Sequence, residues 1–312
     1  MGDHCDVEVM LPRGLKHFGS SVRVRVTGRE VAPLVVALGG ISGNRFVSDH
    51  PDGKEGWWPG MVGPGCAIDP GHLRVLGLDF AADPRGMIAP STREQAQVLH
   101  AVLDRLSVDK AHAIVGASYG GMVALSFAEH FPDRVGKLVV ISASARPHPA
   151  ATALRELQRR VVKLGIETGQ ERHALALARG MAMMTYRTPE EFGRRFRGGI
   201  SEPDCLAASE PGAYLRARGE AFLSVMSPQR FLSLSASIDR HEVDATRIAH
   251  PAFLIGANSD QLVPPDDMRR MASELAGPTE LHLLDCLEGH DMFLTNAASL
   301  SELVSPFLSC SR

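Results

Sequence analysis

Short apolar runs, separated by helical patterns, occupy the first 145 residues of the chain. Alternating apolar and polar residues at 22–26 predict a half-exposed strand, because successive side chains of a strand point to opposite faces. Continuous apolar runs predict buried strands of a parallel sheet at 34–38, 75–78, 113–115 and 137–141. Helical periodicity falls between these runs at 92–106, where Ser91 or Thr92 is the candidate N-cap, and at 121–130. This alternation favours a parallel sheet with helices on both faces.

The pattern changes after Ala145. From about 146 to about 248 the periodicity is helical throughout, with many methionines and arginines. Strand patterns return at 253–256 and 280–284, with a helix at 265–276 between them and a closing helix that runs to Phe307. We therefore predict an α/β core of residues 1–145 and 249–312, interrupted by a helical lid subdomain of residues 146–248. Such an insertion would lie over the carboxyl ends of the strands, where open α/β sheets bind ligands.

Composition excludes several classes of protein. Lys and Arg number 33 against 36 for Asp and Glu, a formal charge of -3, which argues against binding to nucleic acid or to an anionic membrane. No run approaches the roughly 18 apolar residues of a membrane helix, and the N-terminus has no secretory-type segment, so we expect a cytoplasmic protein. The five scattered cysteines and the histidines lack ligand spacing, which predicts no metal site and no tightly bound cofactor.

Residues 116–120 spell Gly-Ala-Ser-Tyr-Gly, which matches the pattern Gly-x-Ser-x-Gly. A predicted strand precedes the pattern and a predicted helix follows it, which is the setting of a nucleophile elbow. The tight turn lifts the serine above the sheet, and Gly116 and Gly120 lack the Cβ atoms that would clash with neighbouring elements. Ser118 is therefore the predicted nucleophile. A glycine-rich turn with an idle serine is the alternative.

A serine nucleophile needs a base and an acid, and in this fold they follow in the order Ser, Asp, His. Asp260 comes just after the predicted strand 253–256, and His290 follows strand 280–284. We predict that His290 accepts the proton of Ser118 and that Asp260 orients its ring. Asp285, on the same loop as the histidine, is the rival acid.

The oxyanion of an acyl-transfer reaction needs two backbone N–H donors. Tyr119, the residue after the nucleophile, supplies one. The loop after strand 34–38 supplies the other, with Leu38 or Gly39 as candidates. Residues 38–43 are glycine-rich, but they contain neither Gly-x-Gly-x-x-Gly nor a following Lys-Ser/Thr, which excludes a phosphate-binding loop.

Four segments carry a resemblance to a known family. They are Trp-Trp at 57–58 with Gly-Pro-Gly-Cys-Ala-Ile-Asp at 63–69, Ser-Tyr-Gly-Gly-Met at 118–122, Ser-Asp-Gln-Leu-Val-Pro-Pro at 259–265, and Gly-His-Asp-Met-Phe-Leu at 289–294. With these segments the chain resembles the homoserine O-acyltransferase (MetX-type) family, whose members have the α/β-hydrolase fold. Tyr119 stands where that family usually has methionine, so we expect it to alter the acyl pocket.

The resemblance implies acyl transfer from an acyl-CoA to the hydroxyl of L-homoserine, in methionine biosynthesis, through an acyl-serine and with ping-pong kinetics. It also implies that Arg179 binds the carboxylate of homoserine, that Asp291 binds its ammonium group and that Tyr186 lines the same pocket. Acyl-CoA is then a substrate, and no cofactor is needed. Acetyl and succinyl donors both stay open. Succinyl would need a further cation, for which the candidates are Arg146, His148, Arg187, Arg194, Arg195 and Arg197.

Other interpretations stay open at this stage. An esterase or thioesterase would use the same three residues with water as acceptor, and a related transferase would acylate L-serine. A catalytically idle fold that serves as a binding module is a third class. The methionine-rich helical region also predicts a homodimer, with interface candidates Met181, Met183, Met184 and Phe231, although these residues could equally form the core of that region.

Overall fold

The computed structural model describes residues 4–48, 53, 55–200, 202–205 and 207–309. Two predictions rest in part on residues outside these ranges. They are the secretory-segment prediction, which includes residues 1–3, and the cysteine pattern, which includes Cys310. Within the described ranges, no helix combines the length and the apolar character that crossing a bilayer requires.

The described strands form one mostly parallel sheet in the order β1-β2-β4-β3-β5-β6-β7-β8. Strand β2 pairs antiparallel with β1 and with β4, and the remaining neighbours are parallel. The bounds are β1 His4–Met10, β2 Ser21–Thr27, β3 Leu34–Leu38, β4 Arg74–Leu78, β5 Ala111–Ala117, β6 Val135–Ile141, β7 Ala252–Ala257 and β8 Thr279–Leu284. The predicted α/β architecture and the positions of its predicted strands are confirmed, and β1 is an additional edge strand. The predicted half-exposure of residues 22–26 is wrong, because pairing with β1 and an ion pair with Asp6 bury Arg25.

The helices follow the predicted order. Ser91, and not Thr92, caps the first of them, because its side chain accepts from Glu94 N–H while the Glu94 carboxylate accepts from Ser91 N–H. The bounds are α1 Thr92–Arg105, α2 Tyr119–His130, α3 Pro149–Glu167, α4 Glu171–Tyr186, α5 Pro189–Arg195, α6 Glu210–Phe222, α7 Pro228–Asp239, α8 Pro265–Glu274, α9 Met292–Thr295 and α10 Ala297–Leu308.

Both faces of the central strands are buried, since alternate residues point to opposite sides. Val36 and Leu38 of β3 join the core that contains α1 and α2. Val35 and Ala37 of the same strand join the core that contains α10 and Trp58. The continuous apolar runs of the sequence therefore correspond to strands covered on two sides, which fixes the carboxyl ends of β3, β5, β7 and β8 along one edge.

Helices α3 to α7 follow β6 and precede β7; we call them the helical insertion. The insertion has a small core of its own, formed by Val162, Leu175, Ala178, Phe222, Met226 and Phe231. Two of the residues predicted for a dimer interface, Met183 and Phe231, are buried inside this chain, so they are not available to a partner. Met184 is exposed and Met181 is partly exposed.

Candidate active site

Ser118 occupies the turn between β5 and α2 with φ 53° and ψ -119°. A positive φ is rare for a residue with a Cβ atom, and such strain persists only where the surroundings enforce it. Here the Ser118 N–H donates to Ile141 O at 2.8 Å, and the Ser118 carbonyl accepts from Gly121 and Met122 N–H. The turn is thus held by the neighbouring strand and by the helix that it starts.

The two glycines of the turn permit unusually close backbone contacts. A Cβ atom on Gly116 would lie 2.3 Å from Gly120 O, and one on Gly120 would lie 2.3 Å from Leu38 O. Real Cβ atoms do not approach oxygen so closely, so these positions accept glycine alone without a backbone shift. The sequence argument for a tight turn therefore has a direct structural basis.

The structure brings Ser118, His290 and Asp260 together. Ser118 Oγ lies 2.9 Å from His290 Nε2, and His290 Nδ1 lies 2.8 Å from Asp260 Oδ2. The other Asp260 oxygen accepts from Leu262 N–H at 2.8 Å and Val263 N–H at 3.0 Å, which fixes the carboxylate. Both His290 and Asp260 are buried. The three side chains form a relay in which one carboxylate orients the ring and the ring faces the serine.

The rival acid does not take part in this relay. Asp285 is exposed, and its Oδ1 accepts from Asn258 Nδ2 at 2.7 Å. Of the two carboxylates considered from the sequence, Asp260 is the one in contact with His290.

Burial and nearby charges shift the pKa of His290 in opposite directions. Burial is the strongest influence and lowers the pKa of the ring, because it disfavours the charged form. The charge and the hydrogen bond of Asp260, together with the charge of Asp291, outweigh burial, so the pKa of His290 lies above its usual value. Arg155 acts in the opposite sense and lowers the pKa. The ring is therefore a stronger base than burial alone would allow.

Two cavities meet at Ser118 and His290, and Tyr186 and Ile238 line both of them. The first, which we call the Arg179 cavity, has a volume of about 170 Å³. It is further lined by residues 40–43, Trp57, Arg179, Asp291, Phe293 and Leu294. The second, which we call the Arg155 cavity, lies toward α3 and is further lined by Met122, Ser142, Leu154, Arg155, Gln158 and Val263, among others.

All three predicted substrate-binding residues line the Arg179 cavity. The Arg179 guanidinium lies over the rings of Tyr186, at 4.9 Å, and Phe222, at 4.8 Å. Within the described residues it forms no ion pair with a carboxylate. Asp291 Oδ2 accepts from Arg187 Nε at 3.0 Å, and no described residue donates to its Oδ1. The cavity thus presents an unpaired cation and one free carboxylate oxygen.

The residues predicted for the oxyanion site lie at the base of the same turn. Gly120 N–H donates to Gly39 O, and Gly121 and Met122 N–H donate to Ser118 O. Among the first four N–H groups of α2, the Tyr119 N–H is therefore the one left without a backbone acceptor in the described part of the chain. Leu38 ends β3 directly below. The loop at 40–43, just beyond Leu38 and Gly39, lines the Arg179 cavity.

The Tyr119 side chain lines neither cavity. It is buried in the core, its hydroxyl hydrogen-bonds to Ser237 Oγ on α7, and its ring packs edge-on against Phe80. Burial raises the pKa of Tyr119 to about 12, so the phenol stays neutral. The expected effect on the acyl pocket is not found, and the tyrosine instead links the serine turn to the helical insertion.

The sequence analysis identified Trp57 and Trp58 as part of a family motif but assigned them no role at this site. Trp57 lies against Gly39, where a Cβ would approach the ring to 2.7 Å, and Trp58 Nε1 donates to Phe293 O at 2.8 Å. These contacts join the loop after β3 to the segment that follows His290. The sequence analysis did not identify Arg155 and Gln158, since they lie on a helix with many similar polar residues.

The six cations proposed for a succinyl donor line neither cavity.

The chain is similar to known proteins along most of its length. The family described as alpha/beta hydrolase fold matches residues 33–297. A homoserine O-succinyltransferase of Xanthomonas campestris is 36% identical over 311 residues, which cover 96% of this chain and 83% of that protein. A homoserine O-acetyltransferase of Thermus thermophilus is 33% identical over 287 residues, with coverage of 82% and 73%. The chain belongs to the homoserine O-acyltransferase family. The resemblance inferred from its motifs is confirmed.

Solved structures support the fold of this homoserine O-acyltransferase family member. Esterase E22 superposes with a TM-score of 0.85 at 20% identity, covering 99% of this chain and 100% of that one. The homoserine O-acetyltransferase of Bacillus anthracis superposes with a TM-score of 0.83 at 15% identity, covering 100% and 98%. At these identities the superpositions establish the fold alone. Within the described ranges, no cluster of His, Cys, Asp and Glu is arranged to hold a metal ion.

We predict that Gly116→Ala destabilises the protein. The added Cβ would meet Gly120 O at 2.3 Å, so the turn must shift, at a cost of about 2 to 3 kcal/mol. Urea unfolding measures this change. Gly193→Ala is the control, because its exposed position on α5 has no atom within 4 Å of the new Cβ. Equal stabilities of the two variants would contradict the close-contact account.

We predict that Asp260→Asn lowers the pKa of His290. The substitution removes the main influence that raises this pKa and leaves the burial that lowers it. NMR titration of the imidazole C–H signals measures the pKa directly. Asp285→Asn serves as the control and should leave the value unchanged, since Asp285 is exposed and bonded to Asn258. A pKa that stays constant in Asp260→Asn would refute the relay.

Proposed function

We propose that this protein transfers an acyl group from an acyl-CoA to the hydroxyl of L-homoserine. The observation that carries the proposal is the position of the Ser118–His290–Asp260 relay at the wall of a cavity that also holds Arg179 and Asp291. A nucleophile beside one unpaired cation and one available carboxylate oxygen suits an amino-acid acceptor. The names of the relatives include both acetyl and succinyl donors, so they leave the donor open.

Charge complementarity supports an α-amino acid as the acceptor. Arg179 has no carboxylate partner in the described chain, and its planar guanidinium can bind the substrate carboxylate through two parallel hydrogen bonds. Asp291 keeps its Oδ1 free for the ammonium group, while Arg187 fixes the other oxygen. The hydroxyl at the end of the homoserine side chain would then reach toward Ser118 and His290.

The first half-reaction acylates Ser118. His290 Nε2 takes the Ser118 hydroxyl proton as Oγ bonds to the thioester carbonyl carbon, and the carbonyl oxygen becomes an oxyanion. The N–H of Tyr119 and that of Leu38 or Gly39 stabilise this oxyanion. The C–S bond then breaks, and His290 returns the proton to the leaving CoA thiolate. Asp260 stabilises the imidazolium while it carries the proton.

The second half-reaction transfers the acyl group. The homoserine hydroxyl gives its proton to His290 Nε2, and its oxygen attacks the carbonyl carbon of the acyl-serine. The bond from that carbon to Ser118 Oγ breaks, and His290 protonates the serine. Since the two substrates react in turn with one serine, the kinetics are ping-pong, and neither a metal nor a bound cofactor is required.

Hydrolysis is the competing use of the same relay. An esterase needs a nucleophile and water, but it has no need of an unpaired arginine and a carboxylate beside the serine. Those two groups in the Arg179 cavity favour transfer to an amino acid. L-Serine, one methylene shorter than homoserine, carries the same charges and is the second acceptor to be tested.

We also propose that the protein is a cytoplasmic homodimer. The exposed apolar side chains of Leu157, Leu177 and Met184 are available for contact with the second copy.

The decisive assay measures free CoA released from acetyl-CoA and from succinyl-CoA. Each donor is tested with L-homoserine, with L-serine and without amino acid. We expect release that depends on homoserine, and a loss of about 1,000-fold or more in Ser118→Ala, because the acyl group then has no acceptor on the protein. Release at the same rate without an amino acid would identify a hydrolase and contradict the proposal.

We further predict that Arg179→Gln raises KM for homoserine about 100-fold. The variant loses a charged hydrogen bond to the substrate carboxylate, while acylation of Ser118 by the donor proceeds as before. Initial rates against homoserine concentration measure the change. Arg172→Gln is the matched control, since Arg172 lies on the exposed side of α4 and lines neither cavity. Equal effects of the two substitutions would show that Arg179 does not bind the acceptor.

A further inference from the structure

The Arg155 cavity shares Ser118 and His290 with the Arg179 cavity, but Arg179 does not line it. It contains a cation that the proposed binding of homoserine does not use. Arg155, on α3, has a side chain only 12% exposed, so water screens its charge incompletely. Its effect on the pKa of His290 is a second sign that this charge lies near the reacting groups.

The Arg155 side chain is fixed but not neutralised. Its Nε donates to Asp239 Oδ1 at 2.8 Å, and its Nη2 lies 2.6 Å from the same oxygen. Arg159 Nη1 donates to the other Asp239 oxygen at 2.6 Å. Two guanidinium groups therefore share one carboxylate, which leaves a net positive charge. Arg155 Nη1 donates to no atom of the described residues.

Two polar residues that line the same cavity lack hydrogen-bond partners among the described residues. Gln158, one turn further along α3, is 3% exposed and lines the cavity, yet its amide forms no hydrogen bond within the described chain. The hydroxyl of Ser142, which also lines the cavity, is buried and has no partner there. Buried polar groups are almost always satisfied, so unpaired ones beside a cation indicate a polar, anionic ligand group.

The acyl group is the part of the substrates that must lie next to Ser118. An acetyl group ends in a methyl and would leave Arg155 Nη1, the Gln158 amide and the Ser142 hydroxyl without partners. A longer acyl group that ends in a carboxylate would satisfy them, since Arg155 Nη1 and the Gln158 amide are both donors.

We propose that Arg155 and Gln158 bind a carboxylate at the far end of the acyl group, so that the donor is a dicarboxylic acyl-CoA of succinyl length rather than acetyl-CoA. The inference rests on the proposed function, because it assigns a second cavity beside the same serine. It makes Arg155 a specificity-determining residue. Each cavity then binds a different substrate group: Arg179 binds the carboxylate of the acceptor, and Arg155 binds the carboxylate of the acyl donor.

The test compares kcat/KM for succinyl-CoA and for butyryl-CoA, an acyl group of similar length without the charge, each with saturating L-homoserine. The wild-type enzyme should prefer succinyl-CoA by about 100-fold, as expected for a charged hydrogen bond. Arg155→Gln should lower the value for succinyl-CoA about 100-fold and change that for butyryl-CoA less than about threefold. Arg155→Lys keeps the charge and should recover part of the preference.

Arg160→Gln is the matched control, because Arg160 lies on the same helix, pairs with Glu156 at the exposed surface and does not line the cavity. Its ratio of the two donors should equal that of the wild type. If Arg155→Gln fails to fold, Gln158→Leu tests the same ratio and should also reduce it.

Two results overturn the assignment and leave homoserine transfer intact. One is a wild-type preference for acetyl-CoA or butyryl-CoA, and the other is an equal loss for both donors in Arg155→Gln, which would indicate a structural role. A failure of every donor to release CoA in a homoserine-dependent way has a different meaning. It would refute the proposed function, and the assignment of Arg155 with it.

Discussion

The close approach of β3, β5 and the first turn of α2 is the constraint on which the site depends. Gly116 and Gly120 permit backbone contacts that any Cβ would prevent, and these contacts hold Ser118 at φ 53°. The strained turn aims Oγ at His290 and leaves the Tyr119 N–H free of backbone acceptors in the described chain. The proposed nucleophile and one proposed oxyanion donor therefore depend on the same local geometry.

Helix α7 connects the helical insertion, of which it is a part, to the serine turn. Ser237 hydrogen-bonds to the hydroxyl of Tyr119, the residue that follows Ser118, and Asp239 pairs with Arg155. Just beyond the helix, His241 bonds to Thr92 and to the Ser144 carbonyl. Burial lowers the pKa of His241 to about 4, so this anchor stays neutral near neutral pH. The insertion is therefore in direct contact with the elements that position Ser118.

The sequence predicts the relay because Ser118, Asp260 and His290 each follow a strand that is recognisable from its apolar run. Strand ends converge on one edge of the sheet, so order along the chain becomes proximity in space. Arg155 lacks such a signal, since its position depends on how α3 packs on α7 rather than on local pattern. Strand β1 escaped prediction because it lies at the sheet edge and buries little of its surface. The sequence favours Asp260 over Asp285 as the acid, and the contact between Asp260 and His290 agrees with that choice.

The central claim is that Ser118 carries the acyl group between the two substrates. Intact-mass measurement of the protein after mixing with succinyl-CoA, without acceptor, tests it most directly. We expect a mass increase equal to one succinyl group, located on Ser118 by peptide mapping and lost when L-homoserine is added. An unmodified protein that nevertheless forms O-succinylhomoserine would contradict the account, because acyl transfer would then bypass the serine.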